Sequence, residues 1–253
     1  MKIHIQALCH KGMVRENNED AVSIGGVYLR DDSMQLVVDV NDNGYFYLLV
    51  SDGIGGHEKG EAASEITLDE MKEQFAFFDI KPDTFERDMQ EAARYISYKL
   101  NWAAHDQGQE KPMGCTLTGI VWSFGETYLI NAGDSRTYRF RDGKLRQLTI
   151  DETERGYTNN PAASKALLNC LGGGMDGKIE VENITGEIVE NDLVLVCSDG
   201  LTDMLTDDEI EAILKEGLTE HCMVDGLAEQ LKERACEAGG YDNISIILAN
   251  LKR

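Results

Sequence analysis

Four apolar runs in this chain lie directly beside an aspartate, and that repetition restricts the fold more than any other feature of the sequence. Tyr45 to Val50 runs into Ser51-Asp52-Gly53, and Leu193 to Cys197 runs into Ser198-Asp199-Gly200. Tyr128 to Ala132 is followed by Gly133-Asp134-Ser135, and Asp242-Asn243 stands just before Ile244-Ser245-Ile246-Ile247. Apolar runs of this length read as buried strands, so each places an acid where a strand enters or leaves a sheet. Surface turns also favour Asp and Gly, and any one of these sites alone passes as a turn. Together they call for a fold whose strands, far apart in sequence, open on one rim. Acids gathered there repel one another unless cations neutralise them, and oxygen-only donors suit hard divalent ions such as Mg2+ or Mn2+. Gly53, Gly55 and Gly56 let the loop after Asp52 take unusual dihedrals and bring a carbonyl close to an ion.

Along the chain, residues 3–9 alternate in polarity like a half-buried strand, and the loop from Lys11 to Asp20 is crowded with charge. A solvated turn is the plain reading of Arg15 and Asp20 in that loop. Two strands follow, Gln35 to Val40 and Tyr45 to Val50, joined at the turn signal Asn41-Asp42-Asn43-Gly44. Ala63, Ile66, Met71, Phe75 and Phe78 keep approximate helical spacing, and Phe85, Met89, Ala92, Ile96 and Leu100 keep it better. Such stripes are core and carry no chemistry. Strand-like runs resume from Cys115 to Leu148, with a hairpin signal at Asp142-Gly143. Thr149 to Gly174 is polar and glycine-rich, and is expected to be a mobile loop beside the site. Thr206 to Glu209 has capping-box spacing and opens a helix; a second carries Val224, Leu227, Leu231 and Ala235 before the final strand. Helix pairs separated from blocks of consecutive strands predict an α+β fold with antiparallel sheets rather than regular βαβ alternation.

With 253 residues, the chain can bury roughly 70–75% of its unfolded surface, and one domain is expected. A formal net charge of −22 argues against nucleic acid and anionic membrane as partners, since both require a basic face. Any site for an anion must then be made locally positive by bound cations and placed arginines. The six cysteines form no CxxC pair and several lie inside apolar runs, which fits buried reduced thiols. No stretch approaches the ~18 apolar residues that span a bilayer, and the N-terminus alternates in polarity, so a cytoplasmic protein is expected.

Six short motifs, in order over nearly the whole chain, resemble those of the metal-dependent protein serine/threonine phosphatases of type 2C in their bacterial form. They are Arg15-Glu16-Asn17-Asn18-Glu19-Asp20, Asp52-Gly53-Ile54-Gly55-Gly56-His57, Gly114-Cys115-Thr116, Gly133-Asp134-Ser135-Arg136, Ser198-Asp199-Gly200-Leu201 and Asp242-Asn243. The resemblance implies a four-layer α-β-β-α sandwich, with two central antiparallel sheets and a helix pair on each outer face. It implies one catalytic domain over residues 1–253, with a short flap-like segment around 149–171. It further implies two Mn2+ or Mg2+ ions per site and a weaker third. On the matching positions, Asp52 bridges two ions, Gly53 binds through its carbonyl, and Asp199 and Asp242 complete the first metal. Asp20, with Glu19, holds the second ion or its waters, Asp134 serves the third, Arg15 grips the phosphate and Asn243 orients the site. The implied substrates are phosphorylated proteins, products of a serine/threonine kinase, hydrolysed by direct attack of a metal-bridged water.

The chemistry asks for such a set independently. A phosphomonoester dianion hydrolyses extremely slowly, so a catalyst must supply a nucleophile and neutralise charge on the phosphoryl oxygens. Two cations about 3.5–4 Å apart do both, and a planar guanidinium clamps two oxygens. Among the cysteines only Cys9, followed after five residues by Arg15, has the CxxxxxR spacing of a covalent phosphatase. His57 is the candidate general acid; the related histidine of eukaryotic members falls where this chain has Ile54, which leaves a packing role open for His57. The segment from Thr149 to Leu171 is shorter than the usual flap and lacks the histidine commonly found after that strand. A competing reading is a phosphatase fold kept as a partner-binding module with structural cations; the full ligand set and Arg15 weigh against it.

Overall fold

The structure is a computed structural model that describes residues 1–41, 44–55, 58–77, 81–106, 112–218 and 226–252. In chain order the elements are β1 (Lys2–His10), β2 (Asp20–Ile24), β3 (Val27–Leu29), β4 (Asp32–Asp39), β5 (Tyr45–Ile54), α1 (Glu58–Phe77) and α2 (Phe85–Asp106). Next come β6 (Gly114–Cys115), β7 (Leu117–Ser123), β8 (Glu126–Ala132), β9 (Arg136–Arg141), β10 (Lys144–Gln147) and α3 (Glu154–Thr158). The last are β11 (Leu171–Gly172), β12 (Glu180–Asn183), β13 (Leu193–Cys197), α4 (Asp199–Thr202), α5 (Asp207–Leu218), α6 (Leu227–Glu237) and β14 (Ile244–Lys252).

Two antiparallel sheets form the centre. One runs β10-β9-β13-β14-β1-β4, and the other runs β11-β6-β5-β7-β8-β12 with the β2-β3 hairpin attached to β5. Between them lies a core of aliphatic side chains from both inner faces, among them Ile5, Val22, Leu48, Ile120, Val196 and Ile247. Outside the second sheet, α1 and α2 bury Met71, Phe75, Met89, Ile96 and Leu100 against Leu49, Val121 and Ile130. Outside the first, α5 and α6 bury Ile210, Leu214, Leu227 and Leu231 against Leu195 and Leu248. The result is the expected four-layer α-β-β-α sandwich, with the single turn α4 added to the second helix pair. The helical stripes read from the sequence are the buried faces, because only one side of each helix meets a sheet; Phe78 and Val224, counted in those stripes, lie outside the described residues.

Local signals gave some joints correctly and one wrongly. Asp142 and Gly143 adopt φ values of 51° and 74°, and β9 and β10 pair across them from Arg141↔Lys144, as a primed two-residue hairpin requires. Thr206 and Glu209 close a capping box: the Thr206 amide donates to Glu209 Oε2 at 2.8 Å and the Glu209 amide donates to Thr206 Oγ1 at 3.3 Å. The strands on either side of Asn41–Gly44, however, are not hairpin partners. β4 pairs with β1 in one sheet and β5 pairs with β2 and β7 in the other. The turn passes the chain between layers, and its central residues 42–43 lie outside the described set.

The rim follows from antiparallel order. β1 ends at His10 opposite Ile244, where β14 begins, and β13 ends at Cys197 opposite Ile246 and Arg136. The ends of β1 and β13 and the starts of β9 and β14 therefore share one edge of the sandwich. In the other sheet, Asp20 at the start of β2 pairs directly with Asp52 near the end of β5.

Candidate active site

Asp52, Asp20, Asp199, Asp242 and Asp134 all lie on this rim, each carried by a different strand end. Asp20 is buried, and the Ser198 hydroxyl donates to its Oδ2 at 2.6 Å. The Ser245 amide donates to Ser198 Oγ in turn at 3.0 Å, so Asp20 is tied to both β13 and β14. Asp52 is fixed through its backbone: its amide donates to Thr116 Oγ1 at 3.0 Å, and the Thr116 amide donates back to the Asp52 carbonyl at 2.8 Å. Asp199 opens α4, directly after the extended Ser198.

Close backbone approaches hold the rim together. A Cβ on Gly53 would lie 2.0 Å from the Gly60 carbonyl oxygen, and one on Gly200 would lie 1.8 Å from that of Asn243. Gly53 is thus required where the end of β5 meets the first turns of α1. Gly53 itself is still part of the strand, and the unusual dihedral expected of this loop falls on Gly55, at φ 150°.

Asn243 clamps the N-terminal loop. Its side-chain amide donates to the carbonyls of Lys11 and Asn17 at 2.8 and 2.9 Å, while its Oδ1 accepts from the Glu19 amide at 2.8 Å. Held by that clamp, the loop presents Arg15, whose guanidinium donates to Asp242 Oδ2 at 2.5 Å while half of the side chain stays exposed. The solvated turn that the sequence offered for Arg15 and Asp20 is therefore a tethered loop with Asp20 sealed beneath it. His57 lies outside the described residues.

The electrostatics are those of crowded acids. Burial, then the charges of Asp20, Asp199, Asp134 and Asp242, push the Asp52 carboxyl well above the usual carboxylate range. Asp199 rises to about 8 through burial and the charges of Asp134, Asp242 and Asp20. Asp20 rises to about 6, mainly through burial, which outweighs the hydrogen bond from Ser198. Asp134 also rises to about 6, through burial and then the charge of Asp151. Crowding of this kind concentrates at functional sites.

Divalent cations fit this donor set. Asp199 Oδ1 is buried and accepts no hydrogen bond, an arrangement that is costly for a carboxylate and is relieved by an ion. Every acid on the rim offers hard oxygen. Among the described residues no three His, Cys, Asp or Glu side chains close into a ready cage. A hard ion would complete its shell with water and with carbonyls such as that of Gly53. Sulfur is not available for the chemistry: burial pushes the thiols of Cys9 and Cys115 up to about 12. Cys222 lies outside the described residues.

The segment after β10 is anchored rather than free. Arg136 grips Asp151 with two bonds of 2.8 and 2.7 Å. Buried Glu152 accepts from the Gly133 amide at 2.6 Å and from Asn169 Nδ2 at 2.7 Å, and β11 pairs with β6. Lys165 pairs with Asp203. A cavity of about 310 Å³ lies between this segment and the rim, lined by Asp134, Asp199, Arg155 and Lys165. A larger cavity of about 540 Å³, behind Glu152 and lined by Leu129, Leu148 and Glu182, holds none of the clustered acids. Ser198, Thr116 and Glu152 escaped assignment from sequence. The first two sit inside quoted motifs and could have been found there, whereas nothing local marks Glu152.

The layers and the acid rim define a class, that of α-β-β-α sandwiches with an oxygen-donor centre at one edge. The family model described as protein phosphatase 2C matches residues 28–234. The serine/threonine phosphatase Stp of Listeria monocytogenes is 29% identical over 261 residues, covering 97% of this chain and 95% of that protein. The S. agalactiae serine/threonine phosphatase structure superposes with a TM-score of 0.80 at 23% identity, covering 99% of this chain and 100% of that one. The catalytic domain of the serine/threonine protein phosphatase PstP, solved with two manganese ions, has a TM-score of 0.73 at 25% identity, covering 99% and 100%. The chain belongs to the protein phosphatase 2C family, and with it to the phosphoprotein phosphatases.

Proposed function

We propose that this chain hydrolyses phosphoserine and phosphothreonine in proteins, that residues 1–253 form one catalytic unit, and that Asp52, Asp199, Asp242, Asp20 and the Gly53 carbonyl hold Mn2+ or Mg2+. The observation that carries this reading is the meeting of acids from five strand ends at one rim, where burial and the charges of Asp20, Asp134 and Asp242 raise the carboxyls of Asp52 and Asp199, with Arg15 seated on Asp242. Relatives named as serine/threonine phosphatases, and one solved with two manganese ions, support it.

Bound ions would neutralise charge on the phosphoryl oxygens and activate the attacking water. The chain's own residues do the rest. Arg15, exposed on one side, swings its planar fork from Asp242 to two phosphate oxygens. Asn243 fixes the loop that carries Arg15, so the guanidinium approaches with little loss of freedom on binding. The Ser198 hydroxyl holds Asp20 in one rotamer. His57 protonates the leaving alkoxide. Asp134 serves a weaker third ion, beside the cavity where Arg155 and Lys165 face the substrate. Products of a serine/threonine kinase in the cytoplasm are the substrates, and the acid surface excludes nucleic acid and anionic membrane.

The test is phosphate release from a phosphothreonine peptide by the full chain with Mn2+, repeated with excess chelator. Turnover that is lost on chelation and recovered with Mn2+ is expected. Undiminished turnover in chelator, or none with Mn2+ on any phosphoserine or phosphothreonine peptide, overturns the reading.

A further inference from the structure

Helix α2 is amphipathic in an unusual way. Its inner face, with Met89, Ile96 and Leu100, is wholly buried in the core. On the outer face Glu86, Arg87, Glu91 and Arg94 are exposed in the first half, and Lys99 is half-buried in the second. In the second half Tyr95, Tyr98 and Trp102 stand in one row at i, i+3 and i+7, and are 45%, 65% and 58% exposed. Phe77, 80% exposed at the end of α1, joins Tyr95 on the rim of a groove of about 310 Å³ between the two helices. The core beneath is already closed, so this row seals nothing among the described residues. Exposed Tyr and Trp clustered in one row mark docking surfaces.

The groove is also acidic. Of its four carboxylates, Glu70 is neutralised by Lys99 and Asp88 by Arg87. Glu73 and Glu91 form no close ion pair among the described residues, and the charge of Glu91 acts on Arg87 one turn away. Acids outside a close ion pair, beside open aromatic faces, hold Lys and Arg doubly, by ion pair and by the ring face. The helix already does this once: the Lys99 ammonium sits 5.0 Å from the Tyr95 ring centroid. A second copy of the chain would bring like charge against like, at −22 per molecule, and an anionic lipid surface is disfavoured for the same reason. The row from Tyr95 to Trp102 is about 10 Å long, two turns of a partner helix.

We propose that the outer face of α2 docks a basic amphipathic helix of a partner protein, its apolar residues on Tyr98 and Trp102 and its Lys or Arg on Glu73 and Glu91. The probe is a fluorescein-labelled helical peptide of about five turns, with Leu along one face and Lys and Arg flanking it, titrated with the full chain at physiological ionic strength. A scrambled isomer of the same composition is the comparison. Saturable binding is expected for the helix, weaker by about tenfold or more for the scrambled peptide and for the Tyr98→Ser/Trp102→Ser variant. Val37→Ser/Val189→Ser, at exposed apolar positions elsewhere, should bind like the parent. Trp102→Lys alone repeats the measurement without touching the core. Equal binding of both peptides, unchanged affinity in the variants, or a dimer of the chain that Tyr98→Ser/Trp102→Ser dissolves overturns the proposal.

Discussion

A single carboxylate on this rim is worth different things to folding and to turnover. Asp52→Ala and Asp199→Ala should each lower kcat by more than about 100-fold while leaving the circular dichroism spectrum intact, because the residues that replace buried charge here also relieve repulsion. Arg15→Ala should act mainly on KM, raising it by about tenfold through loss of a bidentate phosphate contact; steady-state kinetics on one phosphopeptide separates the two effects. The raised pKa values of Asp20, Asp134 and Asp199 fix a pH dependence. Each carboxyl holds its proton more tightly in the folded chain than in the unfolded one. Between about pH 4 and the folded value of about 8 for Asp199, the folded protein therefore binds more protons, and raising the pH lowers its stability. Thermal melts of the metal-free protein should show Tm falling across that window. Stabilisation by Mn2+, which displaces those protons, should grow over the same range. At this scale the sequence was most legible for acids next to strands, since an Asp at the end of an apolar run is visible in one dimension. Glu152 was not, because its partner Gly133 lies across two strands and a hairpin.

Elements were legible where local chemistry decides them. The capping box at Thr206, the Asp142-Gly143 hairpin and the two helical stripes depend on neighbours a few residues away, and each stands where the pattern put it. The strand β2 was not foreseen: Asp20–Ile24 follows a charged loop and is too short for its period to show. Nor could the turn at Asn41–Gly44 say which strands it separates, because a hairpin and a step between sheets begin alike. Two substitutions test the difference between local and long-range construction. Thr206→Ala removes one cap far from the rim and should cost about 1 kcal/mol in urea unfolding, with kcat unchanged. Gly200→Ala drives a Cβ into the Asn243 carbonyl. It should cost about 1–3 kcal/mol and weaken Mn2+ binding as well, since it pushes apart the elements that carry Asp199 and Asp242.

For the molecule as a whole, charge and connectivity set the terms. Ions that bind only the folded state should stabilise it by about 2.7 kcal/mol at a hundred times their Kd, roughly 5–10 °C in Tm for a chain of this size, and differential scanning fluorimetry with and without chelator reads that directly. The net charge of −22 should make turnover of an acidic phosphopeptide rise with salt and that of a basic one fall, as the screening length shrinks from about 30 to about 10 Å. Connectivity has a further effect. β14 is made after every other strand described, yet it lies in the interior of its sheet, hydrogen-bonded to β13 on one side and to β1 on the other, with Lys252 opposite Lys2. A nascent chain still lacking β14 leaves β1 and β13 each with one bare edge and has no strand to hold Asp242 where Arg15 meets it. The catalytic rim is thereby incomplete until β14 is in place, and a protease that clips β14 would silence the enzyme and expose it to aggregation in one cut.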